Sequence, residues 1–163
     1  MPVLTRDHAV ARHRTDMARL LRVVGGVPAP RRDAPVYRVW TPKDLLAHVA
    51  AWDRWLCGAI DELLAGQRPR FGRTSVFNKH AVDASRALSY ARVLGDVRAA
   101  HRALMKRIEL LSDQEWAGPS DHRYRWGNRT PMTVGSLFDY TYQSQTHYGG
   151  HAKEIEAWLA KRV

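Results

Sequence analysis

The chain has 163 residues, 45% of them hydrophobic, an ordinary globular share that fills a core without disulfide staples. Lysine and arginine number 26 against 16 acidic residues, a net charge of +10. The single cysteine, Cys57, excludes an internal disulfide, no apolar run is long enough to span a bilayer, and residues 1–14 lack the apolar stretch of a secretory signal; the expectation is one cytoplasmic domain over residues 1–163.

Four helical stretches follow from the apolar period. The first covers residues 5–24, with Val10, Met17, Leu20, Leu21 and Val24 on one side, and Gly25, Gly26, Pro28 and Pro30 end it. The second starts at Thr41-Pro42-Lys43-Asp44: an N-cap hydroxyl, a proline at the first helical position and an acid in the first turn. Its stripe of Leu45, Val49, Trp52, Leu56, Ala59 and Leu63 steps by fours and threes. Residues 66–88 form a longer connection with a short helix at 77–85. A third helix spans residues 89–111 through Leu94, Val97, His101, Leu104, Ile108 and Leu111, and Ser112-Asp113-Gln114-Glu115 reads as a capping box for one extra turn. After a loop at 118–131, a fourth helix spans residues 133–161, carrying Leu137, Thr141, Ser144, Tyr148, Ile155 and Leu159. With no strand-period segment, the expected fold is all-α: an antiparallel four-helix bundle with one longer connection between helices 2 and 3.

The sharpest chemical signal is His147-Tyr148-Gly149-Gly150-His151. Two histidines four apart lie on one helix face, one turn apart, so both imidazoles reach one ion. Tyr148 stands where a zincin has glutamate, which excludes the His-Glu-x-x-His protease motif. A third ligand must come from another helix, and His48, four residues before Trp52, borders the buried stripe of the second. Read from the residues alone, the three are as well explained as hydrogen-bonded core histidines as by an open three-imidazole metal site. Gly149 and Gly150 fit either close contact with a neighbouring helix or room beside a metal. His101, on the third helix's apolar stripe, reads first as a satisfied core histidine and also as a pocket residue. His8, His13, His80 and His122 read as surface residues. Cys57, two and a half turns past His48, points away from it and is no nucleophile candidate. The arginines scatter along the chain, and no nucleic-acid motif accompanies them, so a solubilising surface is favoured over a nucleic-acid partner.

The segment 40–56, Trp40-Thr41-Pro42-Lys43-Asp44-Leu45-Leu46-Ala47-His48 through Trp52-Asp53-Arg54-Trp55-Leu56, resembles the second-helix signature of the DinB superfamily. Tyr140-Thr141-Tyr142, His147-Tyr148 and the run from His151 to Leu159 resemble its fourth-helix signature. Phe77-Asn78 and residues 93–104 resemble the ClbS/DfsB-like branch. The resemblance implies a four-helix bundle holding zinc or nickel through His48, His147 and His151, with Trp52, Trp55, His101 and Tyr148 around a substrate pocket. It also implies a homodimer, and in some relatives a low-molecular-weight thiol cosubstrate such as mycothiol, bacillithiol or glutathione. The expected function is a metal-dependent hydrolase or thiol S-transferase acting on a reactive small-molecule electrophile, in detoxification or self-protection. The alternative is a non-catalytic protein of the same fold that sequesters a ligand or associates with DNA. Metal binding by neutral imidazoles is expected to weaken below about pH 6, near the unperturbed histidine pKa.

Overall fold

In a computed structural model, residues 4–118, 125–126, 130–139 and 146–161 are described. Helix α1 (Arg6–Gly25) opens on Thr5, whose side chain accepts from the His8 N–H, and buries Val10, Met17, Leu20 and Val24. A 3-10 turn, Ala29–Arg31, follows. Arg38 then adopts φ 51°, closing a tight turn in which the Trp40 N–H bonds to the Tyr37 carbonyl at 2.8 Å. Helix α2 (Pro42–Leu64) starts with a reciprocal capping box: the Thr41 side chain accepts from the Asp44 N–H while the Asp44 carboxylate accepts from the Thr41 N–H. Helices α3 (Thr74–Ser85), α4 (Tyr90–Glu109) and α5 (Asp113–Ala117) come next, α5 under the Ser112/Glu115 capping box. A two-residue ribbon pairs β1 (Arg125–Trp126) with β2 (Thr130–Pro131), inside the stretch expected to be loop. Helices α6 (Val134–Asp139) and α7 (His147–Ala160) complete the chain.

The expected fourth helix over 133–161 is therefore not one helix. Thr146 is extended, at φ −73° and ψ 169°, and its hydroxyl oxygen accepts from the Gly149 N–H, so it caps a helix that begins at His147. A threonine that satisfies an orphan N–H competes with helix continuation, and here the cap wins. Thr141 and Ser144 lie outside the described residues.

The long helices form a four-helix bundle, and the longer connection through α3 makes a crossover in it. Arg14 pairs with Glu109, and the Tyr90 hydroxyl donates to the Val24 carbonyl at 2.9 Å, so α1 runs against α4. Lys43 donates to the Arg86 and Leu88 carbonyls at one end of α2, and Arg107 pairs with Asp61 at the other, so α2 and α4 run the same way. One apolar cluster joins Leu20, Val24, Leu45, Leu46, Val49, Val97 and Ile155; a second joins Val10, Leu56, Ile60, Leu63, Leu104, Ile108 and Phe138. Between them, at intermediate positions on their helices, lie the buried polar residues His13, Asp53 and His101. Among the described residues no helix is long and apolar enough to cross a membrane.

Candidate metal centre

His48 enters the site from the second turn of α2. The stripe Leu45, Leu46 and Val49 is fully buried and fixes the helix's rotation, which leaves His48 at the edge of that stripe, 6% exposed. His147 is the first residue of α7, and His151 follows one turn later. The three imidazoles converge: His48 Nε2 is 2.8 Å from His147 Nε2, which is 3.0 Å from His151 Nε2.

The partners of the outer nitrogens fix which ring nitrogens offer lone pairs at the centre. An indole N–H only donates. Trp52 Nε1 lies 3.1 Å from Asn78 Oδ1, so the amide oxygen faces it, and the same oxygen lies 3.0 Å from His48 Nδ1. His48 Nδ1 therefore carries the proton, and Nε2 offers a lone pair. His151 Nδ1 lies 2.8 Å from Glu154 Oε2 and is protonated for the same reason. Two lone pairs thus point at His147 Nε2, which carries at most one proton. Acceptors behind metal-ligating histidines fix the tautomer and raise ligand basicity in this way. Burial lowers the His48 pKa to about 3, with His151 adding to the effect, and burial also lowers His147 well below 6.5. These two rings stay neutral further into acid than the expected threshold near pH 6. Three imidazoles whose nitrogens lie within 4.8 Å of one another fit a divalent transition metal such as zinc.

An aromatic wall stands beside the three histidines. Trp40 lies 5.0 Å from His48 between ring centroids, Trp52 lies 6.2 Å from it, and Trp52 contacts Trp55, Phe71 and Phe77 at 5.5, 5.1 and 4.9 Å. Trp52 and Trp55 are half-buried, so Trp52 belongs to this wall and not to the sealed core.

His101 and Tyr148, the other two expected pocket residues, lie within the core. Tyr148 is 1% exposed; its hydroxyl donates to Asp53 Oδ1 at 2.7 Å and faces His101 Nδ1 at 3.2 Å. Helical spacing explains this, since Tyr148 is one residue past His147 and so turns about 100° away from the face that His147 and His151 share. His13, expected at the surface, is buried in the same layer, with its ring 5.5 Å from Tyr148 and Nδ1 bonded to the Ala9 carbonyl at 2.8 Å. It lies one turn before Met17 on the buried face, and its pKa is lowered to about 4 by burial. Burial lowers His101 to about 4 and raises Asp53 to about 7; Asp53 Oδ2 has no partner among the described residues. His8 and His80 are exposed as expected, and His122 lies outside the described residues. Cys57 is half-buried, and burial pushes its thiol pKa up, consistent with an inert thiol.

Asn78, Asp53, Phe71 and Asp16 carry contacts that sequence reasoning did not assign. Glu154 was legible in principle, at three residues past His151. Asn78 was not, because only the fold of the 66–88 connection carries it back to His48.

A helical bundle with a histidine cluster at one edge defines the DinB-like class of proteins. The chain belongs to the mycothiol maleylpyruvate isomerase N-terminal domain family, whose model matches residues 10–137; the match includes His48 and ends before His147. No curated protein matches the chain. Among solved structures it is similar to the colibactin self-resistance protein ClbS in complex with double-stranded DNA, at TM-score 0.78 and 12% identity over 100% of this chain and 99% of that one. It is also similar to the sibling lethal factor precursor DfsB, at TM-score 0.76 and 17% identity over 95% of each chain. A Streptococcus pneumoniae protein matches at TM-score 0.75 and 15% identity, over 98% of this chain and 92% of that one. The fold is ClbS/DfsB-like.

Proposed function

We propose that this protein is a metal-dependent enzyme that hydrolyses or thiol-conjugates a reactive small-molecule electrophile, with His48, His147 and His151 as the ligands of one zinc or nickel ion. The observation that carries the reading is the convergence of three Nε2 atoms, two of them held as lone-pair donors by Asn78 and Glu154 acting on the outer nitrogens. When bound, the ion supplies Lewis acidity that lowers the pKa of a water or thiol nucleophile. The chain's own residues do the rest. Asn78 and Glu154 orient two of the imidazoles, and the half-buried Trp52, Trp55 and Phe77 with the exposed Phe71 give an apolar surface on which a substrate is held with water displaced. The family's mycothiol-dependent isomerase supports a thiol cosubstrate, and the family analogy also supports a homodimer. The test is metal analysis of the purified protein, then turnover of epoxide or maleyl-type electrophiles with and without thiols. Zinc- or nickel-dependent turnover supports the reading; a protein that retains no divalent metal removes its support.

A second reading, protective binding near DNA, draws on the net charge of +10 and on the duplex in the ClbS complex. Its signature is DNA affinity that falls steeply with salt, without metal dependence.

A further inference from the structure

We infer that Asp16 of α1 is a positioning residue for the metal centre, acting through a clamp on the first turn of α7. This inference rests on the three-histidine reading above and concerns what sets the geometry of two of those ligands.

The first turn of a helix leaves N–H groups without partners, and its end frays unless they are capped. In α7 that turn carries His147 and begins one turn before His151, so fraying there would move both imidazoles. Asp16 Oδ2 accepts from the Thr146 hydroxyl at 2.7 Å and from the Thr146 N–H at 3.2 Å. The Thr146 hydroxyl oxygen in turn accepts from the Gly149 N–H at 3.2 Å. A chain of three hydrogen bonds thus ties the N-terminus of α7 to the middle of α1, with a carboxylate at the positive end of the helix.

Gly149 makes the approach possible. A Cβ placed there would stand 2.8 Å from Asp16 Oδ2 and 3.0 Å from Asp16 Cγ, closer than atoms pack. For Gly149, then, close contact with a neighbouring helix is the better explanation of the two weighed from sequence. The far end of α7 is fixed independently: Arg31 donates to the Trp158 and Leu159 carbonyls at 3.0 and 3.3 Å, and Arg19 pairs with Glu156. With the C-terminal end held, loss of the Asp16 clamp frees the ligand-bearing end specifically.

The test uses the full chain and zinc or cobalt(II) alone as probes. Zinc affinity by chelator competition, the cobalt(II) visible spectrum and thermal melts are compared for wild type, Asp16→Asn, Asp16→Ala, Gly149→Ala and the Asp16→Ala/Gly149→Ala double variant. Losing a group that orients ligands weakens metal binding by about 10–100-fold. That loss and an altered cobalt spectrum are expected for Asp16→Ala and for Gly149→Ala. Asp16→Asn, which keeps the acceptor oxygen, should retain most of the affinity. Gly149→Ala should cost little more once Asp16 is already alanine, because the carboxylate it collides with is gone. Lower melting points with unchanged zinc affinity and cobalt spectrum would overturn the inference and leave a helix cap alone. A wild type that binds neither metal would overturn the metal reading, and this inference with it.

Discussion

Two groups of histidines meet the first turn of α7, one through His147 and one through Tyr148, and behave differently. His48, His147 and His151 converge at the edge of the bundle with acceptors behind two of them, so lone pairs point at a common centre. His13 and His101 lie one layer inward with Asp53 and Tyr148, where protein donors and acceptors face one another. His48 in the first group is buried with a lowered pKa, as are His13 and His101 in the second, so burial alone does not separate them. What separates them is where the protons sit: in one group lone pairs converge on a common centre, and the other forms an internal network. Residue type thus does not tell the two groups apart, and the partners of the outer nitrogens do.

The largest expected effect breaks the edge group. His48→Ala, His147→Ala and His151→Ala should each lose stoichiometric zinc while the far-UV circular dichroism of the bundle persists, because apolar burial carries the fold. Equal metal content in these variants and wild type, measured by elemental analysis, would place any metal elsewhere. For contrast, the apolar clusters flanking the inner layer should show stability effects with no metal effect. Phe138→Ala removes a fully buried ring and should cost about 3–5 kcal/mol in denaturant titration.

The inner group should yield to a smaller change. Tyr148→Phe removes the hydroxyl that donates to Asp53 and faces His101, and a buried group left without its partner costs about 1–3 kcal/mol. Zinc affinity should change far less than in the ligand variants; a stability unchanged from wild type would show that the hydroxyl is not needed there.

The smallest effects are those of pH, and the two kinds of inner residue act with opposite sign. His13 and His101 have folded pKa values lowered to about 4 from 6.5, so the unfolded chain takes up their protons first. Their contribution is present above pH 6.5 and is lost as pH falls toward 4. Asp53 is raised from 3.8 to about 7, so its contribution is present below pH 3.8 and is lost as pH rises through 7. With histidines outnumbering the one carboxyl, net stability should climb between pH 4 and 6.5. Asp53→Asn should remove the opposing component, so that this variant gains relative to wild type at pH 8. Denaturant midpoints across pH 4–8 measure both, and a flat profile in each protein would contradict the assignment.

The periodicity of the chain determined a great deal. Thr41, Pro42 and Asp44 announced the start of α2, Ser112 and Glu115 that of α5, and the apolar stripes marked which faces meet, because caps and stripes act over one or two turns. The i,i+4 pair in α7 and His48 on the edge of a stripe were legible for the same local reason. Other features were beyond local reading. Thr146 looked like one more helical residue, and only the Asp16 carboxylate from α1 shows it as the cap of a new helix. His13 looked like a surface residue on an arginine-rich helix, until the rings of Tyr148 and Phe138 cover it. Asn78 sits 30 residues from the histidine whose proton it fixes. Helix starts and buried faces are set by neighbours along the chain, so sequence alone determines them. Which nitrogen carries a proton, and which buried polar group finds a partner, depends on atoms that only the packed bundle brings together.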